Sequence, residues 1–81
     1  MRYVAGIDVG STYTKVVIVD QEHKIVGKAM TSTGFQLGKA ADHALDQALE
    51  ITGLDRSHVA YTVTTGFGRH QVPFSDVSVT D

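Results

Sequence analysis

The 81-residue chain is 42% hydrophobic, enough for one small core, since a domain this short buries only about 60–65% of its unfolded surface. Seven basic against nine acidic residues, with no run of either sign, argue against a nucleic-acid or anionic-membrane partner. The lack of cysteine excludes disulfides and thiolate-held zinc or iron–sulfur centres within these residues. No aliphatic run approaches the roughly 20 residues of a membrane helix, and Arg2 and Asp8 interrupt any signal-peptide core, so a cytoplasmic location is expected.

Tyr3 to Val9 is apolar at nearly every position, the pattern of a central strand covered on both faces. Small turn-forming residues at Gly10-Ser11 lead into a second apolar run, Tyr13 to Asp20, and the pair reads as a hairpin. Gln21 to Lys24 is a polar turn, and Ile25 to Met30 completes an antiparallel meander, with Gly27 a candidate bulge. From Leu37 to Thr52 the period changes to that of an amphipathic helix: Leu37, Ala41, Ala44, Leu45, Ala48 and Leu49 share one side. Gly53 suits a left-handed helix end, and Val59 to Val63 forms a fourth strand. A strand–helix–strand crossover is right-handed and makes that strand parallel to an earlier one. The expected fold is therefore α/β: an antiparallel three-strand meander, a helix and a parallel fourth strand. Beyond Gly66 the pattern weakens, and Phe74 to Val79 reads as a short strand or an arm.

The segment Gly6-Ile7-Asp8-Val9-Gly10-Ser11-Thr12-Tyr13-Thr14-Lys15 carries the chemistry. A tight hairpin of small residues turns backbone N–H groups outward, and such concavities take phosphate oxygens. Gly10 and Ser11 permit close approach, hydroxyls at Ser11, Thr12 and Thr14 add donors, and Lys15 offers a mobile positive charge. Asp8, at the end of the first strand, is placed to hold Mg2+ through its waters. The Gly-x-x-x-x-Gly-Lys-Ser/Thr loop of other nucleotide enzymes is absent. An ordinary hairpin would need neither the carboxylate two residues before Gly10 nor the lysine after Thr14.

Asp8-x-Gly10-Ser11-Thr12-x-Thr14-Lys15 resembles the first phosphate motif of the actin, sugar-kinase and heat-shock-chaperone superfamily, and the order of elements is similar to its ribonuclease-H-like lobe. Gly6 to Val19 together with Thr64-Thr65-Gly66-Phe67-Gly68-Arg69 resembles the BadF/BadG/BcrA/BcrD ATPase family, the activators of 2-hydroxyacyl-CoA dehydratases and the ATPase subunits of benzoyl-CoA reductase. The stretch Gly66 to Phe74 leans towards the benzoyl-CoA reductase side. Members of that family are considerably longer. The resemblance therefore implies that residues 1–81 are one truncated domain, the start of an N-terminal ATPase lobe that is inactive alone. A second phosphate motif, an adenosine pocket and the cysteines of a [4Fe–4S] cluster shared between two subunits would lie beyond it. A complete protein would couple ATP hydrolysis, with Mg2+, to low-potential electron transfer into a reductase or dehydratase of a coenzyme A thioester. Its partners would be the rest of the ATPase, a second ATPase subunit and that enzyme.

Rival readings stay open at this point. A small-molecule kinase would use the same hairpin. A ribonuclease-H-type nuclease would need further carboxylates around Asp8, with Asp20 the nearest candidate. A third reading is a non-catalytic interaction fragment. Gly66 and Gly68 also suit a plain turn after a strand, and Arg69 could contact a partner or the remaining lobe. Asp42, Asp46 and Glu50 read as a solvated helix face. His23, His43, His58 and His70 lack ligand spacing, and Tyr3, Tyr13 and Tyr61 read as strand packing.

Overall fold

The computed structural model describes residues 2–34, 36–66, 68–72 and 75–78. Its elements are β1 (Tyr3–Val9), β2 (Tyr13–Val19), β3 (Ile25–Ser32), α1 (Leu37–Thr52), a 3-10 turn (Arg56–His58), β4 (Val59–Thr65), a second 3-10 turn (Arg69–Gln71) and β5 (Val77–Ser78). The sheet order is β3-β2-β1-β4-β5, with β1–β2 and β2–β3 antiparallel and β4 parallel to both β1 and β5. The meander, the helix bounds and the parallel fourth strand agree with the sequence reading.

Three strand ends differ from it. Strand β3 runs on to Ser32 because Thr31 and Ser32 follow Thr14 and Tyr13 to the hairpin end of the ladder. Strand β4 runs on to Thr65, which pairs with Asp8. Strand β2 stops at Val19, because the Asp20 carboxylate turns to accept from the N–H groups of Glu22 (2.8 Å) and Lys24 (3.0 Å). Of the expected arm, Val77 and Ser78 form the short β5; Phe74 and Val79 lie outside the described residues.

Helix α1 has no side-chain cap at Gln36 and no acidic first turn, so its stability comes from its buried face. Its end is well made: Gly53 takes φ 73°, and Leu54 donates back to Leu49 at 3.0 Å. The side of α1 with Ala40, Ala41, Ala44, Leu45, Ala48 and Leu49 packs on one face of the sheet, against Ala5, Ile7 and Val9 of β1 and Val16 and Ile18 of β2. Alanine at four of those positions lets the helix lie close. Gly27 completes the fit: a Cβ there would strike the Thr52 side chain and the Ala48 carbonyl. The β2–β3 register shifts beside it, with Val26 the extra residue between the Ile18–Gly27 and Val19–Ile25 pairs, so the bulge falls one residue before the glycine that the sequence pointed to.

The crossover back to the sheet is pinned by Arg56, whose guanidinium binds the carboxylates of Asp42 (2.5 Å) and Asp46 (3.1 Å). The helix face expected to be merely solvated is therefore tied to the following turn. That turn starts on a reciprocal cap, with Ser57 N–H donating to Asp55 Oδ1 at 2.9 Å and Asp55 N–H donating to His58 Nδ1 at 3.1 Å. On the outer edge of β4, Asp76 acts as a one-rung strand. Its N–H donates to the Thr62 carbonyl (2.9 Å), and its carboxylate accepts from the Thr62 N–H (2.7 Å).

Candidate functional site

Alternation along the strands sorts the site residues onto two faces. Strand β1 sends Ala5, Ile7 and Val9 under α1 and leaves Asp8 exposed on the other side. Strand β2 buries Thr14, Val16 and Ile18 under α1 and leaves Lys15 exposed. In the antiparallel register Asp8 and Lys15 are direct partners, and the parallel register places Thr65 on the other flank of Asp8. The row Lys15–Asp8–Thr65 thus crosses three strands on the open face. It borders a cleft of about 350 Å³ whose lining includes Gly6, Val17 and Val63. Among the described residues, neither Asp8 nor Lys15 has an ion-pair partner.

At the end of this row the hairpin turns through Ser11 and Thr12, closed by Gly10 N–H donating to the Tyr13 carbonyl at 3.0 Å. Gly10 is needed there because a Cβ would lie 2.8 Å from that carbonyl oxygen. Ser11 and Thr12 are exposed, and their amide N–H groups have no hydrogen-bond partner among the described residues. Two exposed backbone donors beside a lysine and a carboxylate have the chemistry to receive an anion and its counter-cation.

Of the residues singled out from sequence, Asp8, Gly10, Ser11, Thr12 and Lys15 come together at this end of the sheet. Thr14 does not join them. It is fully buried under the helix face, and its hydroxyl pairs with that of Thr33 at 3.0 Å. The correction follows from the pleat: if Lys15 faces the open side, Thr14 cannot. Asp20 lies at the opposite end of the β1–β2 ladder, where Val19 pairs with Val4, so the carboxylate that a nuclease reading would bring to Asp8 stands away from it. Among the described residues no group of three or more His, Cys, Asp or Glu could hold a metal ion. A cation here would rest on Asp8, its waters and a bound phosphate.

Two further residues belong to the site. Gly66, at φ 92° just past β4, abuts the end of β1: a Cβ would sit 2.5 Å from the Val9 carbonyl oxygen and 2.7 Å from Asp8 Oδ1. The Gly66 carbonyl accepts from Arg69 Nη1 at 2.9 Å, so Arg69 braces this bend. The signal was present in the parallel crossover, which brings the carboxyl ends of β1 and β4 to the same edge. Thr33 is the other: it follows β3, and its N–H donates to the Thr12 carbonyl of the hairpin at 2.9 Å. Phe67, the middle of the Gly66-Phe67-Gly68 stretch, lies outside the described residues, as do Pro73 and Phe74.

This sheet order, with a carboxylate ending the first strand and an open-amide hairpin after it, defines a ribonuclease-H-like lobe of the actin and sugar-kinase type. The chain belongs to the BadF/BadG/BcrA/BcrD ATPase family, whose model matches residues 5–80. It is 35% identical over 79 residues to the activator of lactoyl-CoA dehydratase from Anaerotignum propionicum, covering 98% of this chain and 30% of that protein. Among solved structures it is similar to component A of the (R)-2-hydroxyglutaryl-CoA dehydratase of Acidaminococcus fermentans, with TM-score 0.89 and 28% identity over 99% of this chain and 31% of that one. It is also similar to the activator of the 2-hydroxyisocaproyl-CoA dehydratase of Clostridium difficile with bound ADPNP, with TM-score 0.85 and 30% identity over 96% of this chain and 29% of that one. The chain thus spans about 30% of the length of these relatives. No described helix is long and apolar enough to cross a membrane.

Proposed function

We propose that residues 1–81 are the N-terminal part of a cytoplasmic ATP-hydrolysing subunit that drives low-potential electrons into an enzyme acting on a coenzyme A thioester. The observation that carries this reading is the pair of amides at Ser11 and Thr12, without a partner among the described residues, beside Asp8 and Lys15. Family membership and the ADPNP bound to a relative of the same fold support it. The names of the relatives favour a 2-hydroxyacyl-CoA dehydratase as the recipient. Benzoyl-CoA reductase is the second choice, on the leaning of the Gly66 to Phe74 stretch.

In this reading the phosphate tail of ATP lies over the hairpin, its oxygens accepting from the Ser11 and Thr12 amides and hydroxyls. Lys15 meets the charge that develops as the terminal phosphoryl group passes to water. Asp8 would hold a hydrated Mg2+, which would supply charge neutralisation to the phosphates. Gly66 keeps the far side of Asp8 clear. The site fits that cation and nucleotide phosphates. It does not fit a [4Fe–4S] cluster, because the chain has no cysteine; a cluster would be held by residues outside this segment and shared with a second ATPase subunit.

The test uses the complete protein. Phosphate release from ATP with Mg2+, stimulated by the dehydratase component and accompanied by electron transfer to it under a strong reductant, is the expected result. Transfer of the phosphoryl group to an added sugar with no phosphate release would replace this reading with a kinase.

A further inference from the structure

We infer that Thr33 is the positioning residue of the phosphate hairpin, fixing the direction in which the Ser11 amide points. This rests on the phosphate-binding reading above and adds to it a residue just past another strand, outside the motif. Thr33 follows β3 and is 3% exposed. It holds the hairpin at three points: its hydroxyl donates to the Gly10 carbonyl at 2.8 Å, its N–H donates to the Thr12 carbonyl at 2.9 Å, and its Oγ1 lies 3.0 Å from the Thr14 hydroxyl.

The Gly10 carbonyl and the Ser11 N–H belong to one planar trans peptide, so they point in opposite directions. Drawing the carbonyl inward to Thr33 therefore turns the Ser11 N–H outward. Glycine at position 10 leaves that peptide easy to rotate, and without the Thr33 hydroxyl its carbonyl has no anchor on the β3 side. An outward carbonyl would present negative charge to the phosphate in place of a donor. Thr14 completes the arrangement: its buried hydroxyl meets Thr33 Oγ1, so the motif threonine acts on the turn through Thr33.

The experiment measures ATP and adenosine affinity in the complete protein. Thr33→Val should raise the ATP Kd about five- to ten-fold, the worth of one well-placed hydrogen bond, and leave adenosine binding unchanged. Thr33→Ser, which keeps the hydroxyl, should restore ATP affinity. If Thr33→Val does not fold, the pair Thr14→Val with Thr33→Val gives the same readout, because it also removes the buried Thr14 hydroxyl that the single change leaves without its partner. Equal losses for ATP and adenosine, or no loss of ATP affinity in either valine variant, would overturn the positioning role. Lys15→Ala and Asp8→Asn separate this from the underlying reading. If they leave ATP affinity intact, the phosphate site itself is misplaced and the role of Thr33 falls with it. If they weaken ATP and the valine variants do not, only the positioning role falls.

Discussion

The two faces of the sheet are built from the same strands and follow different rules. Under α1, Ala5, Ile7, Val9, Val16 and Ile18 are at most 1% exposed and close-packed. On the open side, Asp8 and Lys15 stand among half-buried Val17 and Val63, with Val4 at 39% and Tyr61 at 43% exposure. The first face gives its side chains to packing, and its buried threonines turn their hydroxyls to protein partners: Thr14 to Thr33, Thr33 also to the Gly10 carbonyl, and Thr64 to Ser75. The second keeps charge and open amides where a ligand can reach them, and it leaves apolar surface uncovered as a result. Stability and function are separated by the pleat, one residue apart along each strand.

That separation breaks if neighbouring substitutions behave alike. Ile18→Ala, on the covered face, should cost about 2–5 kcal/mol in denaturant unfolding, whereas Val17→Thr next to it should cost under about 1 kcal/mol. Comparable losses would mean that the open face is already part of a core. Asp8→Asn and Lys15→Ala should each lower ATP turnover of the complete protein about 100-fold, while shifting stability by no more than about 0.5 kcal/mol. Parallel loss of folding and turnover would place these side chains in the scaffold instead.

Weaker effects sharpen the contrast. The 81-residue chain alone should self-associate through Val4, Val17, Tyr61 and Val63, because soluble monomers rarely carry a large contiguous apolar patch. Light scattering should show association that Val17→Lys reduces; a monodisperse chain with low dye binding would mean that this face is closed. The same chain should bind ATP–Mg weakly or not at all in calorimetry, since the hairpin offers contacts to the phosphates alone. The smallest effect lies away from both faces, at Asp55. Hydrogen bonds from Ser57 hold its carboxyl below the ordinary value of 3.8. A lowered folded-state pKa contributes stability above the unfolded value that is lost as pH falls through the folded one, so Asp55→Ala should flatten the acid limb of the unfolding profile below about pH 4.

Most of the architecture was legible because periodicity reports it directly. The bounds of α1, the first hairpin and the left-handed Gly53 all follow from spacing. Where the reading went astray, long-range pairing decided the outcome. The ends of β3 and β4 depend on partners in β2 and β1 that no local window contains. Thr14 looked like a ligand because the motif was read as a string; alternation from Lys15 would have sent it inward. Gly66 could be placed beside Asp8 once the parallel crossover was accepted, but Thr33 could not. Its place follows from the register of the β2–β3 ladder, which shifts by one residue at Val26. The β1 pattern, apolar at nearly every position, predicted cover on both faces, and α1 supplies it on one.

The side-chain rung at Asp76 bears on how the outer edge of the sheet is counted. Because Asp76 satisfies both backbone groups of Thr62, the ladder to β5 starts one residue later, with Val63 opposite Val77 and Thr64 opposite Ser78. A slip of one place would leave the Thr62 N–H facing a peptide that cannot receive it. Asp76 thus works as an index mark, spacing whatever polypeptide continues from β5 by a fixed offset from the strand that ends at Thr65 and Gly66. Adding a residue between Asp76 and Val77 would shift the pairing of Val63 with Val77 and of Thr64 with Ser78 by one place.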